Sequence, residues 1–173
     1  MMTPSTQLTC AALALSFTPA IAQDVPEDVT PALAGEWIPF GIRKYGFIFD
    51  VPPGFLFVTD HKYDGGEGAL FQNDEGDFVV VWGIDVDIRD FQTHVKELMQ
   101  IDMDEGWNFT YQRLTPKWAV YSGIKDDWIR YVKSITVCDD RAAFFVVEYE
   151  RAEKRDYDPI VTQMEKSLKR EGC

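Results

Sequence analysis

Histidine is the side chain most often used for proton transfer near neutral pH, and the chain has two, His61 and His94. His61 lies in a short charged stretch beside glycines, which favours a solvated loop. Leu98 and Asp102 follow His94 at steps of four residues, so these side chains share one ridge of a predicted helix. A carboxylate on an otherwise apolar stripe is unusual. We therefore expect Asp102 either to contact a ligand in a pocket at the helix end or to be solvated or structurally paired.

Three further patterns could carry chemistry, and each lacks a required feature. The acidic runs 73–77 and 85–87 do not have the twelve-residue spacing of a calcium loop. Ser122 has no Gly-x-Ser-x-Gly frame and falls within a predicted strand. Gly65 and Gly66 are followed by neither the Lys nor the Ser or Thr of a phosphate loop, so they predict a mobile loop or a lid. The sequence thus predicts no catalytic residue, no metal site and no cofactor.

Tryptophans at strand starts are candidates for a contact surface. Trp118 and Trp128 flank one predicted hairpin, where side chains are often half exposed. They either form an exposed aromatic patch that binds a partner or pack into the core.

The amino terminus has the pattern of a cleavable export signal. Residues 8–17 are apolar but too short to span a bilayer, and Ala20 and Ala22 provide the small residues that precede a cleavage site. We expect cleavage after Ala22, a flexible lead-in over 23–35, and one domain over 36–173. The predicted location is periplasmic or secreted.

The charge of the chain limits the classes of partner. With 29 acidic and 17 basic residues, the formal net charge is −12. Nucleic acid and anionic lipid surfaces need a basic footprint, so neither is expected as a partner. No transmembrane segment is expected in the mature chain, and the oligomeric state is left open.

Apolar periodicity predicts an α+β fold. Helices are expected over 88–105 and over 158–170, the latter with Asp158 as cap and Pro159 in its first turn. Strands are expected over 45–51, 69–72 and 78–84, with a possible short one over 55–59. Four further strands, 107–114, 117–124, 129–137 and 141–150, are joined by short turns and predict an antiparallel meander.

Two of these strands are apolar on both alternating sets of side chains. Residues 78–82 and 142–149 show this pattern, which indicates strands covered on both faces. Two amphipathic helices are available as covers. The sequence therefore predicts a three-layer α/β/α sandwich around one mostly antiparallel sheet.

Three segments resemble a known group of proteins. The strand and turn from Tyr45 to Phe55, the stretch Tyr121 to Gly123 and the helix start Tyr157 to Val161 are similar to small exported bacterial proteins of the PsbP-like α/β/α sandwich type. The resemblance implies a fold used for accessory and binding roles in protein complexes or at membranes, usually without catalysis. It brings no active-site residues that could be transferred.

The leading hypothesis for function is a non-enzymatic, exported accessory or binding protein. Its contact surface is expected near Gly65 and Gly66, the Trp118/Trp128 hairpin, and the helix that carries His94 and Asp102. The partner would be another exported or membrane-associated protein. The alternative is a carrier of a small apolar or amphipathic ligand, and a hydrolytic enzyme ranks third.

We predict a disulfide between Cys138 and Cys173, because these are the two cysteines that remain after cleavage of the leader and thiols in an oxidising compartment usually pair. The loop that it closes is about 35 residues long, for which restriction of the unfolded chain gives at most about 3–4 kcal/mol. Intact-mass measurement under non-reducing conditions should show the loss of two hydrogens. Alkylation of both thiols in the native protein would contradict the pairing.

Overall fold

A computed structural model describes residues 35–58, 67–87 and 90–172. The predicted signal peptide, nearly all of the predicted lead-in, Gly65, Gly66 and Cys173 lie outside the described residues.

The described residues form ten strands and two α-helices. In chain order these are β1 (Ile38–Ile42), β2 (Phe47–Val51), β3 (Leu56–Phe57), β4 (Glu67–Gln72), β5 (Phe78–Asp85), α1 (Phe91–Asp104), β6 (Asn108–Leu114), β7 (Trp118–Lys125), β8 (Trp128–Val137), β9 (Arg141–Glu150), α2 (Lys154–Ser167) and β10 (Lys169–Arg170). The fold is α+β, and every strand pairing among these residues is antiparallel.

The two strands with apolar residues on both faces lie at the centre of the larger sheet. That sheet has the order β3-β4-β5-β9-β8-β7-β6, so β9 is the middle strand and β5 is its neighbour. The central position of both strands and the antiparallel meander β6 to β9 confirm the sequence predictions. A strand in this position is fully paired on both edges and needs apolar side chains on both faces.

Alternate side chains of β5 enter two separate cores, because successive residues of a strand point to opposite faces. Val79 and Val81 belong to a core that includes side chains of β2 and α2, whereas Val80 and Trp82 belong to a core that includes side chains of α1. The helices therefore pack against opposite faces of the sheet. The helical members of the two cores are Tyr157, Ile160, Val161 and Met164 from α2, and Phe91, Val95 and Met99 from α1.

The prediction of a single sheet is wrong. A second, three-stranded sheet has the order β1-β2-β10. Together with α2, it covers one face of the larger sheet. Phe47, Phe49 and Val51 face that core, as their alternation predicts. The flanking strands were not predicted, since β1 contains Pro39 and Gly41 and β10 is only two residues long. Proline is tolerated in β1 because that strand lies at a sheet edge.

Helix α2 begins four residues before the predicted cap Asp158, and Pro159 lies inside it. The early start is stabilised by Tyr157, whose ring stacks on Tyr149 at 4.1 Å and whose hydroxyl donates a 2.6 Å hydrogen bond to Asp77. These tertiary contacts offset the hydrogen bond that Pro159 cannot donate. Helix α1 begins at Phe91, three residues later than predicted, and ends before Gly106, whose φ of 99° requires glycine.

The acidic turn 73–77 has a structural role. The buried Asp77 carboxylate accepts hydrogen bonds from the Asn73 amide at 2.8 Å, from the Tyr157 hydroxyl and from the Glu150 backbone N–H at 3.3 Å. One carboxylate thus joins the β4–β5 turn, the end of β9 and the start of α2.

Cys138 lies in the turn after β8 with φ of 57°, and its Sγ is 3.9 Å from the carbonyl oxygen of Gly172. The residue after Gly172 is Cys173, which lies outside the described residues, so the disulfide stays a prediction.

Replacement of a central core residue should be costly. Phe145 is fully buried, with its ring centroid 5.1 Å from that of Phe49 and 6.1 Å from that of Tyr131. We expect Phe145→Ala to lower the free energy of unfolding by about 3–5 kcal/mol. Leu56→Ala on the exposed edge strand β3 should change it by less than about 0.5 kcal/mol. Urea denaturation measures both, and equal losses would contradict the assignment of the core.

Candidate binding site

Asp102 is buried at the end of α1 and is paired within the chain. Tyr121 of β7 donates a 2.8 Å hydrogen bond to its Oδ2, and Arg130 of β8 donates to its Oδ1. Of the two expectations for Asp102, the structure shows the paired arrangement. Because both carboxylate oxygens already have donors, the loss of this charge should affect stability.

Arg130 is the centre of a charged cluster. Its Nε and Nη2 each lie 2.5 Å from Oε1 of Glu148, and its Nη1 also lies 3.7 Å from Oε2 of Glu105. Arg130 and Glu148 are direct partners in the β8–β9 register. Opposite charges at such positions stabilise strand pairing. We call Asp102, Glu105, Arg130 and Glu148 the carboxylate cluster: three carboxylates around one guanidinium.

Trp107 forms one side of the cluster. The Arg130 guanidinium carbon lies 4.5 Å from the centroid of the Trp107 ring, a cation–π geometry. The backbone positions this ring: after Gly106 reverses the chain, the Trp107 N–H donates a 3.0 Å hydrogen bond to the carbonyl of Asp102. The last turn of α1 and the start of β6 are thereby held together.

Burial disfavours the charged forms of two members of the cluster. Desolvation raises the pKa of Asp102 and that of Glu148, and the positive charge of Arg130 opposes the shift in both. One guanidinium cannot neutralise three carboxylates, so the cluster has a negative excess.

Two adjoining cavities open beside the cluster on the α1 side of the sheet. The first, about 240 Å³, lies between α1 and the strands, with Ile101 and Leu98 among its lining residues. The second, about 400 Å³, includes Trp107, Lys125 and Trp128. They share Phe78 and Glu148 as lining residues, so they form one depression, which we call the α1 groove. Its rim includes the exposed Ile101, 54% accessible.

The other residues predicted for a contact surface do not all meet here. His94 lies two turns, about 12 Å, before Asp102 on α1, and its ring packs edge-on against Phe144 at 5.7 Å. Desolvation lowers the pKa of His94, and the nearby Glu97 opposes that shift. His94 therefore covers the core and lies outside the α1 groove.

The expected patch that combines Trp118 with Trp128 does not form. Both are half-buried, but Trp128 is opposite Lys125 beside the hairpin turn, whereas Trp118 is opposite Ile135 at the open end. Seven residues of extended chain separate the two positions, about 23 Å. Trp128 lies in the α1 groove, on the same side of the sheet as Asp102. Trp118 lies in a cavity with Glu165 and Leu168 near the end of α2.

Sequence reasoning missed Arg130, Glu148 and Tyr121. A usable signal existed, because Glu148 is a charged residue in an otherwise apolar run and Arg130 is its partner when the β8–β9 turn is placed at 138–140. The proximity of Asp102 to Arg130 could not be inferred in this way, since it depends on how α1 packs across the sheet.

Comparison with solved structures identifies the architecture. The solution structure of cyanobacterial PsbP (CyanoP) from Synechocystis sp. PCC 6803 matches with a TM-score of 0.57 and 10% identity, over 77% of this chain and 91% of that one. The chain has a PsbP-like fold. The crystal structure of the Saccharomyces cerevisiae Ran-binding protein Mog1p matches this PsbP-like fold with a TM-score of 0.53 and 12% identity, over 79% of this chain and 96% of that one. A Mog1 variant matches with a TM-score of 0.55 and 11% identity, over 78% of this chain and 95% of that one. No protein-family model and no curated protein matches the chain.

Two further findings concern residues 35–58, 67–87 and 90–172 of this PsbP-like fold. None of their helices is both long enough and apolar enough to cross a membrane. They contain no group of three or more His, Cys, Asp or Glu side chains placed to hold a metal ion.

Removal of the central guanidinium should destabilise the fold in a pH-dependent way. Arg130→Met leaves two buried carboxylates without their cation, at an expected cost of about 3–5 kcal/mol at pH 7. Their raised pKa values mean that the folded state binds more protons than the unfolded state, so stability should return as the pH falls from 7 towards about 4. Arg155→Met, at an exposed site on α2, is the control and should have little effect at any pH. A pH-independent loss for Arg130→Met in urea titrations would contradict this account.

Proposed function

We propose that this chain is an exported, non-enzymatic accessory protein that binds another protein through the α1 groove. The proposal includes a periplasmic or secreted location and a three-layer arrangement, in which α1 forms one outer layer and α2 with the small sheet forms the other. The observation that carries it is the negative excess of the carboxylate cluster beside an apolar rim.

The chemistry of the groove defines the kind of partner. Ile101 and the half-buried ring of Trp128 offer apolar and aromatic contacts, which dominate the energetics of protein interfaces. Glu105, which is half exposed, adds a carboxylate at the rim. The partner segment should therefore place a Lys or Arg near Glu105 and an apolar side chain against Ile101. The net charge of −12 would assist the approach of such a cationic partner.

A binding role also fits the way the cluster is held. Asp102 and Glu148 are both engaged by Arg130, and Asp102 also by Tyr121, so these buried groups form a rigid base for the groove and Glu105 is its exposed carboxylate. A general base would instead need an available lone pair aimed at a substrate. The PsbP-like fold offers one analogy, since its structural neighbour Mog1p is described as Ran-binding.

A second candidate function, carriage of a small amphipathic ligand, is favoured by a cavity of about 560 Å³ between α2 and the outer strands. Its wall contains Ile129, Tyr131, Tyr149 and Val161, and Lys154 lies among the polar lining residues. This volume is in the range of small-molecule sites. Native mass spectrometry of protein purified from its own host tests this idea. A mass that includes a retained small molecule would support it, and the mass of the protein alone would contradict it.

Site-specific photo-cross-linking in the native host tests the main proposal. A benzoylphenylalanine at Ile101 should give one discrete adduct with a partner protein, whereas the same group at Lys96, exposed elsewhere on α1, should not. Glu105→Lys should reduce the adduct at least fivefold because it reverses a rim charge, and Glu171→Lys, the same change at an exposed site after β10 on the other side of the large sheet, should not. Identical adducts at both positions, or no response to Glu105→Lys, would contradict the proposal. Mass analysis of the same preparation reports whether the leader has been cleaved after Ala22.

A further inference from the structure

A second depression, on the opposite face of the sheet, has the opposite charge. A cavity of about 340 Å³ lies between the start of β7, the end of α2 and β10. We call it the Trp118 cleft. Its apolar part is formed by Trp118, Ile135 and Leu168.

Cations outnumber carboxylates around this cleft. Lys117, Lys133 and Arg170 line it together with one acidic residue, Glu165, which pairs with Lys133 at 3.2 Å. Lys117 and Arg170 are exposed and are left to face a ligand. Such a cluster is unexpected in a chain of net charge −12, where a random surface patch would be acidic.

Two cations also lie over the Trp118 ring. The guanidinium carbon of Arg113 is 5.0 Å from the ring centroid, and Nζ of Lys133 is 5.9 Å from it. These contacts orient the cations around a planar aromatic surface. The ring is half-buried, so one part of it remains available to a ligand.

Arg170 is positioned by the backbone of the small sheet. Its Nε donates a 3.1 Å hydrogen bond to the carbonyl of Thr136 and its Nη2 a 3.4 Å bond to the Thr136 hydroxyl. Residue 170 pairs with Phe47 in the sheet register, and the next residue, Glu171, donates a 2.8 Å hydrogen bond to the Gly46 carbonyl. These bonds occupy one edge of the guanidinium, and its Nη1 donors are directed away from Thr136.

We propose that the Trp118 cleft binds a small oxyanion, phosphate or carboxylate, that is attached to a planar apolar body. Lys117 and Arg170 would hold the oxyanion by charge-assisted hydrogen bonds. Trp118 would stack on the apolar body, with Ile135 and Leu168 beside it. The site is on the face covered by α2, away from the α1 groove, so it does not depend on the proposed partner-binding role.

Nitrogen-15 NMR of the mature chain with four probes tests this inference. The chain has five tryptophans, and Trp118→Phe assigns the Trp118 indole resonance. 1-Naphthyl phosphate or 1-naphthoate should shift that resonance saturably, with an affinity at least tenfold higher than inorganic phosphate or neutral 1-naphthol. The first two probes distinguish a phosphate from a carboxylate preference. No saturable shift with either charged naphthyl probe, or equal binding of 1-naphthol, would overturn the proposal.

Charge reversal provides the matched control. Lys117→Glu should weaken the binding of the preferred naphthyl anion at least fivefold, whereas Lys96→Glu, the same change on α1 at the other face, should alter it less than twofold. Arg170→Gln should also weaken binding at least fivefold while the remaining backbone resonances stay in place. Equal effects of Lys117→Glu and Lys96→Glu would show that only the overall charge matters, which would overturn the site.

Discussion

The rest of the structure depends on the pairing of β5 with β9 at the centre of the large sheet. These strands pair along Phe78↔Glu148 to Asp85↔Arg141, and 11 of the 16 residues in this stretch are buried, with only Asp85 exposed. Because neither face can be exposed to water, the chain must supply a cover for each. Helix α1 supplies one cover, and α2 with the three-stranded sheet supplies the other.

The grooves follow from the limited width of those covers. Seven strands at about 4.8 Å spacing extend over about 29 Å, whereas a helix is about 10 Å across. A single helix therefore cannot cover a whole face, and recesses remain beside α1 and beside α2. On the α1 side the exposed edge of the helix meets Arg130 and its three carboxylates. On the α2 side, the end of α2 lies beside Trp118 and the cations around it. One acidic chain thus presents two recessed surfaces of opposite local charge.

The polar groups inside the fold are paired as well as buried. Among the described residues, no buried side-chain nitrogen or oxygen lacks a hydrogen-bond partner. Asp77 and Asp102 are two examples. Each carboxylate accepts hydrogen bonds from elements that are distant in sequence. Such networks rigidify a fold only when every member is satisfied.

The local sequence pattern was sufficient to predict the centre of the fold but not its edges. Apolar residues on both alternations predicted β5 and β9, and short turns predicted the meander, because both signals come from neighbouring residues. Strand β1 and the start of α2 were missed, because they are stabilised by contacts with Phe47–Val51 and with Asp77 that no local window contains. For the candidate site, Asp102 and Trp128 were identified as unusual positions. Their grouping around Arg130, and the separation of Trp118 from Trp128, required the strand register and the packing of α1.

Native-state hydrogen exchange measures the central claim directly, because amides of strands covered on both faces open only when the whole domain unfolds. The account predicts that the amides of β5 and β9 exchange most slowly, with opening free energies equal to the free energy of global unfolding, and that those of the edge strand β6 exchange faster. Exchange in β9 as fast as in β6 would show that one face of the centre is open to water, and would contradict the arrangement on which both grooves depend.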